Sequence, residues 1–408
     1  MQGEEGTSTA AVGIDGGGEG EEVKEGELLG RKLGTLLLKV VVVGYGEISQ
    51  RQHVPVIIDS SLSASSRRRR HCQFELIGII DPIFSCNDSS NKTSDDDKLP
   101  PAPVYSNLDD FVKSQHRRDI VGDGSQSNDD VVIMVIACPP QYAQEYVQKA
   151  LDMSMKGIFM EKPPGLDTQR LVELRDYATQ NNLTLFTGYH SIYAPEVQHA
   201  KEEWIERKRS QKNPFTKISI VWKESAKKWH GGQTWITQSN LGVLDMFINP
   251  ISIVEEILGS DELDTMIIDT TRSTITKPKN WVGPISGSIA MIRNKNGREG
   301  RLGNLTIYGD FAWNYEDEDI WKITFESSNG ETTMELYDGG AQMTINGVRM
   351  TQDSTHTDIL RPEYEALYDK FVDLLSKKEC EVRTAPLRIM NDILSNSTST
   401  IVDEEYYL

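Results

Sequence analysis

Cysteine is scarce in this chain. Its four cysteines (Cys72, Cys86, Cys138 and Cys380) stand far apart, with no Cys-x-x-Cys pair. That spacing excludes a zinc knuckle and a dense disulfide framework. It suits a reducing compartment, so a cytoplasmic location is expected. Basic residues are also outnumbered: 43 Lys and Arg against 62 Asp and Glu leave a net charge of −19. So acidic a chain is a poor match for nucleic acid or an anionic membrane surface. It holds no uncharged apolar run of about 18 residues, the length that spans a bilayer. Its start has neither the basic stretch nor the apolar core of a signal peptide. Five of the histidines (His53, His71, His116, His199 and His356) have no carboxylate or thiol cluster at ligand spacing, so no metal site is expected.

What is present is enough apolar material, 38% of 408 residues, for two or three domains. Residues 1–35 hold ten glycines and eight acids but no aromatic residue, and are expected to be a disordered tail. Leu36 opens a nearly unbroken apolar run ending in Val40–Val43, the pattern of a strand buried on both faces. Strand patterns then alternate with helical ones. The strands are Lys39–Val43, Phe74–Ile80, Val131–Ala137, Gly157–Met160 and Leu183–Thr187. The helices include Gln141–Met153 and Asp167–Gln180. Alternation of this kind predicts an α/β doubly wound parallel sheet over residues 36–190. Polar inserts at Ser60–Arg70, Asp88–Lys98 and Ser114–Asp130 read as loops. In residues 191–408 an apolar helix, Leu241–Leu258, precedes six β-type runs between Thr265 and Ile345, and a helix near Pro362–Ser376 follows. That order predicts a C-terminal α/β domain on an open, mostly antiparallel sheet. Its uncovered face over 265–345 is the expected surface for a homo-oligomer.

Four stretches carry chemistry. The first is Gly44-Tyr45-Gly46-Glu47-Ile48-Ser49, directly after the first strand. Gly44 permits a tight turn, Gly46 lets a diphosphate approach the backbone, and the next helix aims its N–H groups at it. Asp81, ending the second strand, can accept the ribose hydroxyls of NAD and repel the 2′-phosphate of NADP. The Arg67–Arg70 run could instead neutralise that phosphate, so the expected cofactor is NAD or NADP, with NAD favoured. The second is Cys138-Pro139-Pro140, which turns the chain over the carboxyl edge of the sheet. The third is Glu161-Lys162-Pro163, which sends a lysine into the crevice where a nicotinamide would lie. The fourth runs from Glu224 through Trp229, His230 and Gln233 into Asp245-x-x-x-Asn249. Asp245 and Asn249 share one face of a helix that is apolar nearly all round, and a carboxylate buried there needs a partner. Lys162 is the expected one.

The Gly-x-Gly turn, Glu161-Lys162-Pro163 and Gly188-Tyr189-His190 together resemble the Gfo/Idh/MocA oxidoreductase family. Ile192 stands where an Arg is common. Within that family the Lys223-Glu224…Trp229-His230…Gln233 stretch and the Asp245/Asn249 pair resemble the L-arabinose/D-galactose 1-dehydrogenases. The resemblance implies a small-molecule sugar substrate and an NAD(P)-dependent aldose 1-dehydrogenase. It places Lys162, His190, Asp245 and Asn249 at the reacting centre. Trp229 and Trp313 are then candidates to stack on a sugar face, with Glu224, His230 and Gln233 reading hydroxyls. Two other readings stay open: a non-catalytic sugar or nucleotide sensor of the same family, and a relative acting at another sugar carbon or on a dihydrodiol.

Overall fold

The computed structural model describes residues 36–59, 72–84, 100–114, 130–233, 235–293, 305–350 and 360–408. The expected N-terminal tail, the first two polar inserts, Arg67–Arg70 and all but the ends of the third insert lie outside those residues.

Six strands form the first sheet: β1 (Leu36–Val43), β2 (Cys72–Ile80), β3 (Val104–Tyr105), β4 (Asp130–Ile136), β5 (Gly157–Glu161) and β6 (Thr184–Gly188). Their order is β3-β2-β1-β4-β5-β6, and every neighbouring pair is parallel. This is the doubly wound order of a dinucleotide-binding fold. The valine run of β1 explains its central place. Val41 and Val43 pack towards the helices Pro140–Asp152 and Thr168–Gln180, while Val40 and Val42 pack on the opposite layer. A central parallel strand must be apolar on both sides because helices cover both.

That opposite layer is supplied in part by the far end of the chain. Tyr364, Leu367, Tyr368, Phe371, Val372 and Leu374 of the helix Leu360–Lys377 join its core. Gly157 makes room for it, since a Cβ there would lie 2.4 Å from Leu375 Cδ2. A cut at residue 190 therefore does not describe the packing: a helix assigned by sequence to the second domain covers the first sheet. Next to β6 the chain returns again. Glu381 N donates to Leu185 O at 3.0 Å and Thr187 N donates to Glu381 O at 3.1 Å.

The second sheet has ten strands: β7 (Phe215–Lys223), β8 (Met266–Ile268), β9 (Thr274–Pro278), β10 (Ser286–Arg293), β11 (Thr306–Ala312), β12 (Ile320–Ser327), β13 (Thr333–Tyr337), β14 (Gln342–Ile345), β15 (Val348–Arg349) and β16 (Thr398–Val402). It is mostly antiparallel, with β7–β11 and β9–β16 parallel. β7 lies between β11 and β12 and was not marked by the sequence reading. Its alternation is clear in retrospect: Ile218, Ile220 and Trp222 point into the core, while Lys217, Ser219, Val221 and Lys223 do not.

The helix Leu244–Leu258 lies on the inner face of this sheet. Phe247 meets Phe311 with ring centres 4.3 Å apart, and Gly309 leaves the space, since a Cβ there would sit 2.6 Å from Phe247 Cζ. The opposite face carries charged pairs between strands: Lys217–Glu326, Lys223–Asp310 and Lys322–Glu335, each at 2.6 Å.

Candidate active site

In this strand order β1 leads to β2 on one side and β4 continues on the other, so a crevice opens beyond their carboxyl ends. Gly44 begins its floor. Its φ is +89°, and a Cβ would lie 2.4 Å from the carbonyl oxygen of Ala137. Only glycine lets the turn sit on Ala137-Cys138. Gly46 is different, because a Cβ there would meet nothing within 4 Å. Tyr45 N donates to Asp81 Oδ2 at 2.8 Å, and Asp81 Oδ1 accepts from Ile83 N and Phe84 N at 2.9 Å. The carboxylate that ends β2 is thus tied to the Gly-x-Gly turn. Burial pushes the Cys138 thiol up to about 12, so it is a neutral wall group. Pro139 and Pro140 start the next helix. Ile48 packs partly against the core, whereas Glu47 is exposed and pairs with Arg51 at 3.0 Å.

These residues fit a dinucleotide. Open space lies over Gly46, where a ligand can approach the backbone, and a carboxylate stands at the end of β2. The Gly44–Gly46 turn would hold the diphosphate and Asp81 the ribose.

Glu161 ends β5 buried. Oε1 accepts from Tyr364 OH at 2.7 Å and bonds His53 Nε2 at 3.0 Å, while Oε2 accepts from Lys162 N at 2.9 Å. His53 Nδ1 meets Tyr368 OH at 3.0 Å. Burial pushes the Glu161 carboxyl up, but the bond and field of His53 and the Tyr364 hydroxyl more than offset it and hold it below the usual range. Burial, and then Glu161 itself, lift the Tyr364 hydroxyl well above its ordinary value, so it remains a donor. The turn carrying Lys162 is therefore fixed from beneath.

Lys162 Nζ lies 3.5 Å from Asp245 Oδ2 and 3.3 Å from the carbonyl oxygen of Asp245. The two side chains are 18% and 8% exposed. The ammonium comes from the first sheet and the carboxylate from the helix on the second. One turn along that helix, Asn249 Oδ1 is buried with no hydrogen-bond partner. At the end of β6, His190 Nδ1 is 2.7 Å from Glu363 Oε2, and its ring stacks on Tyr364 with centres 5.5 Å apart.

A further group gathers at the end of β7. Glu224 is buried and accepts the indole N–H groups of Trp313 and Trp321 at 3.0 and 2.9 Å. His230 Nε2 is 3.7 Å from the same carboxylate, and its Nδ1 is buried without a partner. The expectation that Trp313 stacks on a sugar is corrected: it has no exposed surface and packs between His230 and Trp281. Its function in the fold is to hold Glu224. Trp229 is 42% exposed, and its Nε1 donates to Asp319 Oδ2 at 3.1 Å. Gln233 is half-buried and joins the short helical turn through its main chain. Among the described residues, no group of three or more His, Cys, Asp or Glu could hold a metal ion.

The sequence reading passed over His53, Glu363, Tyr364 and Tyr368. One signal was available: Glu363 precedes Leu367 by four residues, which sets an acid beside the buried stripe of an amphipathic helix.

Comparison with known proteins agrees with this geometry. Residues 38–189 match the model of the GFO_IDH_MocA oxidoreductase family, described as an NAD-binding Rossmann fold. The galactose 1-dehydrogenase of Pseudomonas fluorescens is 28% identical over 355 residues, covering 87% of this chain and 94% of that protein. A crystal structure of D-galactose-1-dehydrogenase from Rhizobium etli superimposes with a TM-score of 0.65 at 25% identity, covering 90% of this chain and 97% of the other. A 3-ketoreductase from Actinomadura kijaniata, solved with NADP, shares the fold at a TM-score of 0.62 and 12% identity, covering 90% of this chain and 99% of the other.

The chain is an NAD(P)-dependent oxidoreductase. Residues 38–189 match the Gfo/Idh/MocA family model, and the galactose 1-dehydrogenases are among the proteins that the chain resembles.

Proposed function

We propose that this protein is an aldose 1-dehydrogenase of the D-galactose/L-arabinose type, oxidising the C1 hydroxyl of a cyclic sugar to the lactone. The observation that carries the reading is the desolvated Lys162–Asp245 pair, 3.5 Å apart, with the unpartnered Asn249 carbonyl oxygen one helical turn away. The galactose 1-dehydrogenases resemble this chain over nearly their whole length, which supports the same class of substrate.

When bound, the dinucleotide accepts the hydride that leaves C1. The protein supplies the rest. Asp245 takes the proton of the C1 hydroxyl, directly or through Lys162. The Lys162 ammonium orients that hydroxyl and favours its alkoxide. Asn249 accepts a hydrogen bond from the sugar without adding charge. His190, at the end of β6, would contribute a further hydrogen bond to the sugar. Trp229 offers an indole face at the rim, and His230 and Gln233 lie beside it for hydroxyl recognition.

A panel of aldoses assayed with NAD and with NADP, followed at the nicotinamide absorbance band, tests the proposal. Reduction with D-galactose or L-arabinose and a lactone product are expected. A protein that binds dinucleotide but oxidises no aldose would instead be a sensor.

We also propose that copies associate through the open face of the second sheet. Light scattering should give more than one chain per particle at micromolar concentration, and a monomer would refute it. No described helix is long and apolar enough to cross a membrane. The few, widely spaced cysteines suit a reducing compartment, which supports the cytoplasm as the place of action.

A further inference from the structure

We infer that Glu363 is a positioning residue that sets which nitrogen of His190 carries the hydrogen, and so makes His190 an acceptor for a donating sugar hydroxyl. The inference rests on the proposed site but concerns a residue that lies 173 positions further along the chain.

His190 Nδ1 lies 2.7 Å from Glu363 Oε2, with side-chain exposures of 12% and 5%. An ionised carboxylate only accepts, so the hydrogen of a neutral imidazole must sit on Nδ1. Nε2 is then left with its lone pair. A lone pair there selects a partner that donates, and a sugar hydroxyl donates. Held the other way, with hydrogen on Nε2, the ring would present a donor to the same hydroxyl. Glu363 thus decides the polarity of one hydrogen bond to the substrate.

The groups around His190 enforce the arrangement. Tyr364 stacks under the ring with planes 20° apart. Its own hydroxyl donates to Glu161 at 2.7 Å, so it does not compete for the imidazole. Ser191 Oγ lies 3.5 Å from Nδ1, at the limit of a hydrogen bond. Consecutive positions of one helix therefore reach two different loops: Glu363 to the loop after β6, Tyr364 to the turn after β5. That helix is anchored on the first sheet by Leu367, Tyr368 and Phe371. A carboxylate on a packed helix holds a ring more firmly than one on a loop, because its own rotamer is locked.

The test uses full-length protein with 15N-labelled histidine, comparing wild type, Glu363→Gln, Glu363→Met and His190→Gln. The last assigns the His190 signals. Long-range proton–nitrogen correlation should show hydrogen on Nδ1 and a bare Nε2 in wild type. Glu363→Gln still offers a carbonyl oxygen and should keep that pattern and most of the activity. Glu363→Met offers none, and should lose the pattern and raise the KM for sugar about tenfold or more. The KM for dinucleotide should stay within about twofold of wild type, the scatter of a residue that does not touch it. Hydrogen on Nε2 in wild type would overturn the inference, as would Glu363→Met with wild-type spectrum and kinetics. The wild-type spectrum is decisive by itself if Glu363→Met does not fold. It also stands if no aldose proves to be a substrate, so failure of the proposed activity is distinguishable from failure of this assignment.

Discussion

Lys162 and Asp245 meet across the junction of the two sheets: the ammonium nitrogen is 3.5 Å from one carboxylate oxygen and 3.3 Å from the same residue's carbonyl. Each side chain is largely removed from water. Neither sheet alone supplies both members of this pair. The helix Leu244–Leu258 lies on the second sheet, and its Asp245 turn reaches the lysine at the end of β5.

Removing either partner should abolish chemistry before it abolishes binding. Asp245→Asn and Lys162→Met are expected to lower kcat by about 10²–10⁴-fold, the range for a lost general base or its orienting partner. Dinucleotide affinity, read by fluorescence titration, should change little for Asp245→Asn. Near-wild-type turnover in either variant would contradict the assignment.

The two glycines of the turn should separate stability from binding. Gly44→Ala places a Cβ against Ala137 at a φ of +89°, so it should cost about 1–3 kcal/mol in denaturant unfolding. Gly46→Val enters open space and should change stability by no more than about 0.5 kcal/mol. It should still raise the KM for dinucleotide about tenfold or more, by filling the approach to the backbone. An unchanged KM for dinucleotide in Gly46→Val would show that the space over Gly46 has no ligand to exclude.

Glu161 makes the fold sensitive to acid. Its carboxyl is held below the usual range in the folded protein. Its contribution is therefore fully present above the unfolded-state value of about 4.3 and lost as the pH falls through the folded value. Thermal unfolding of wild type and Glu161→Gln should differ most near neutrality, and the gap should close as the pH drops below about 4. A gap that widens on acidification would reverse the sign of the argument.

Arg383 holds a cluster of acids on the far side of the site helix. It lies 3.6 Å from both Glu255 Oε2 and Glu381 Oε1, and also pairs with Glu256. Burial pushes the Glu255 carboxyl up, with Arg383 pulling against it. Arg383→Met should destabilise the protein by about 3–5 kcal/mol, because it leaves the buried Glu255 without its cation, while Glu256 keeps Lys201 and Glu381 keeps Lys370. Urea unfolding measures this, and a loss below about 1 kcal/mol would mean that water reaches the cluster.

The legible parts of this molecule were those written in local pattern. β1 announced itself because a strand covered on both faces is apolar at every position. Gly44, Gly46, Lys162 and Asp245 could be named because each sits at a strand end or on an apolar helix. β7 went unmarked although its alternation was present, since it follows a long polar helix and leads into the Glu224 motif. The helix Leu360–Lys377 was found, but not the sheet it covers: an amphipathic stripe states that a face is buried, not against what. For the same reason the links from His53 to Glu161, Tyr364 to Glu161 and His190 to Glu363 were out of reach, since they span 108, 203 and 173 residues. Trp313 misled because indoles in a core and indoles in a sugar site have the same composition.

The central claim is that the bond broken is C–H at the anomeric carbon, and isotopic labelling reads it directly. The protein is supplied with D-galactose or L-arabinose deuterated only at C1, and the reduced dinucleotide is examined by mass spectrometry. The account predicts that the reduced dinucleotide carries the deuterium. Reduction that leaves the label on the sugar would contradict it.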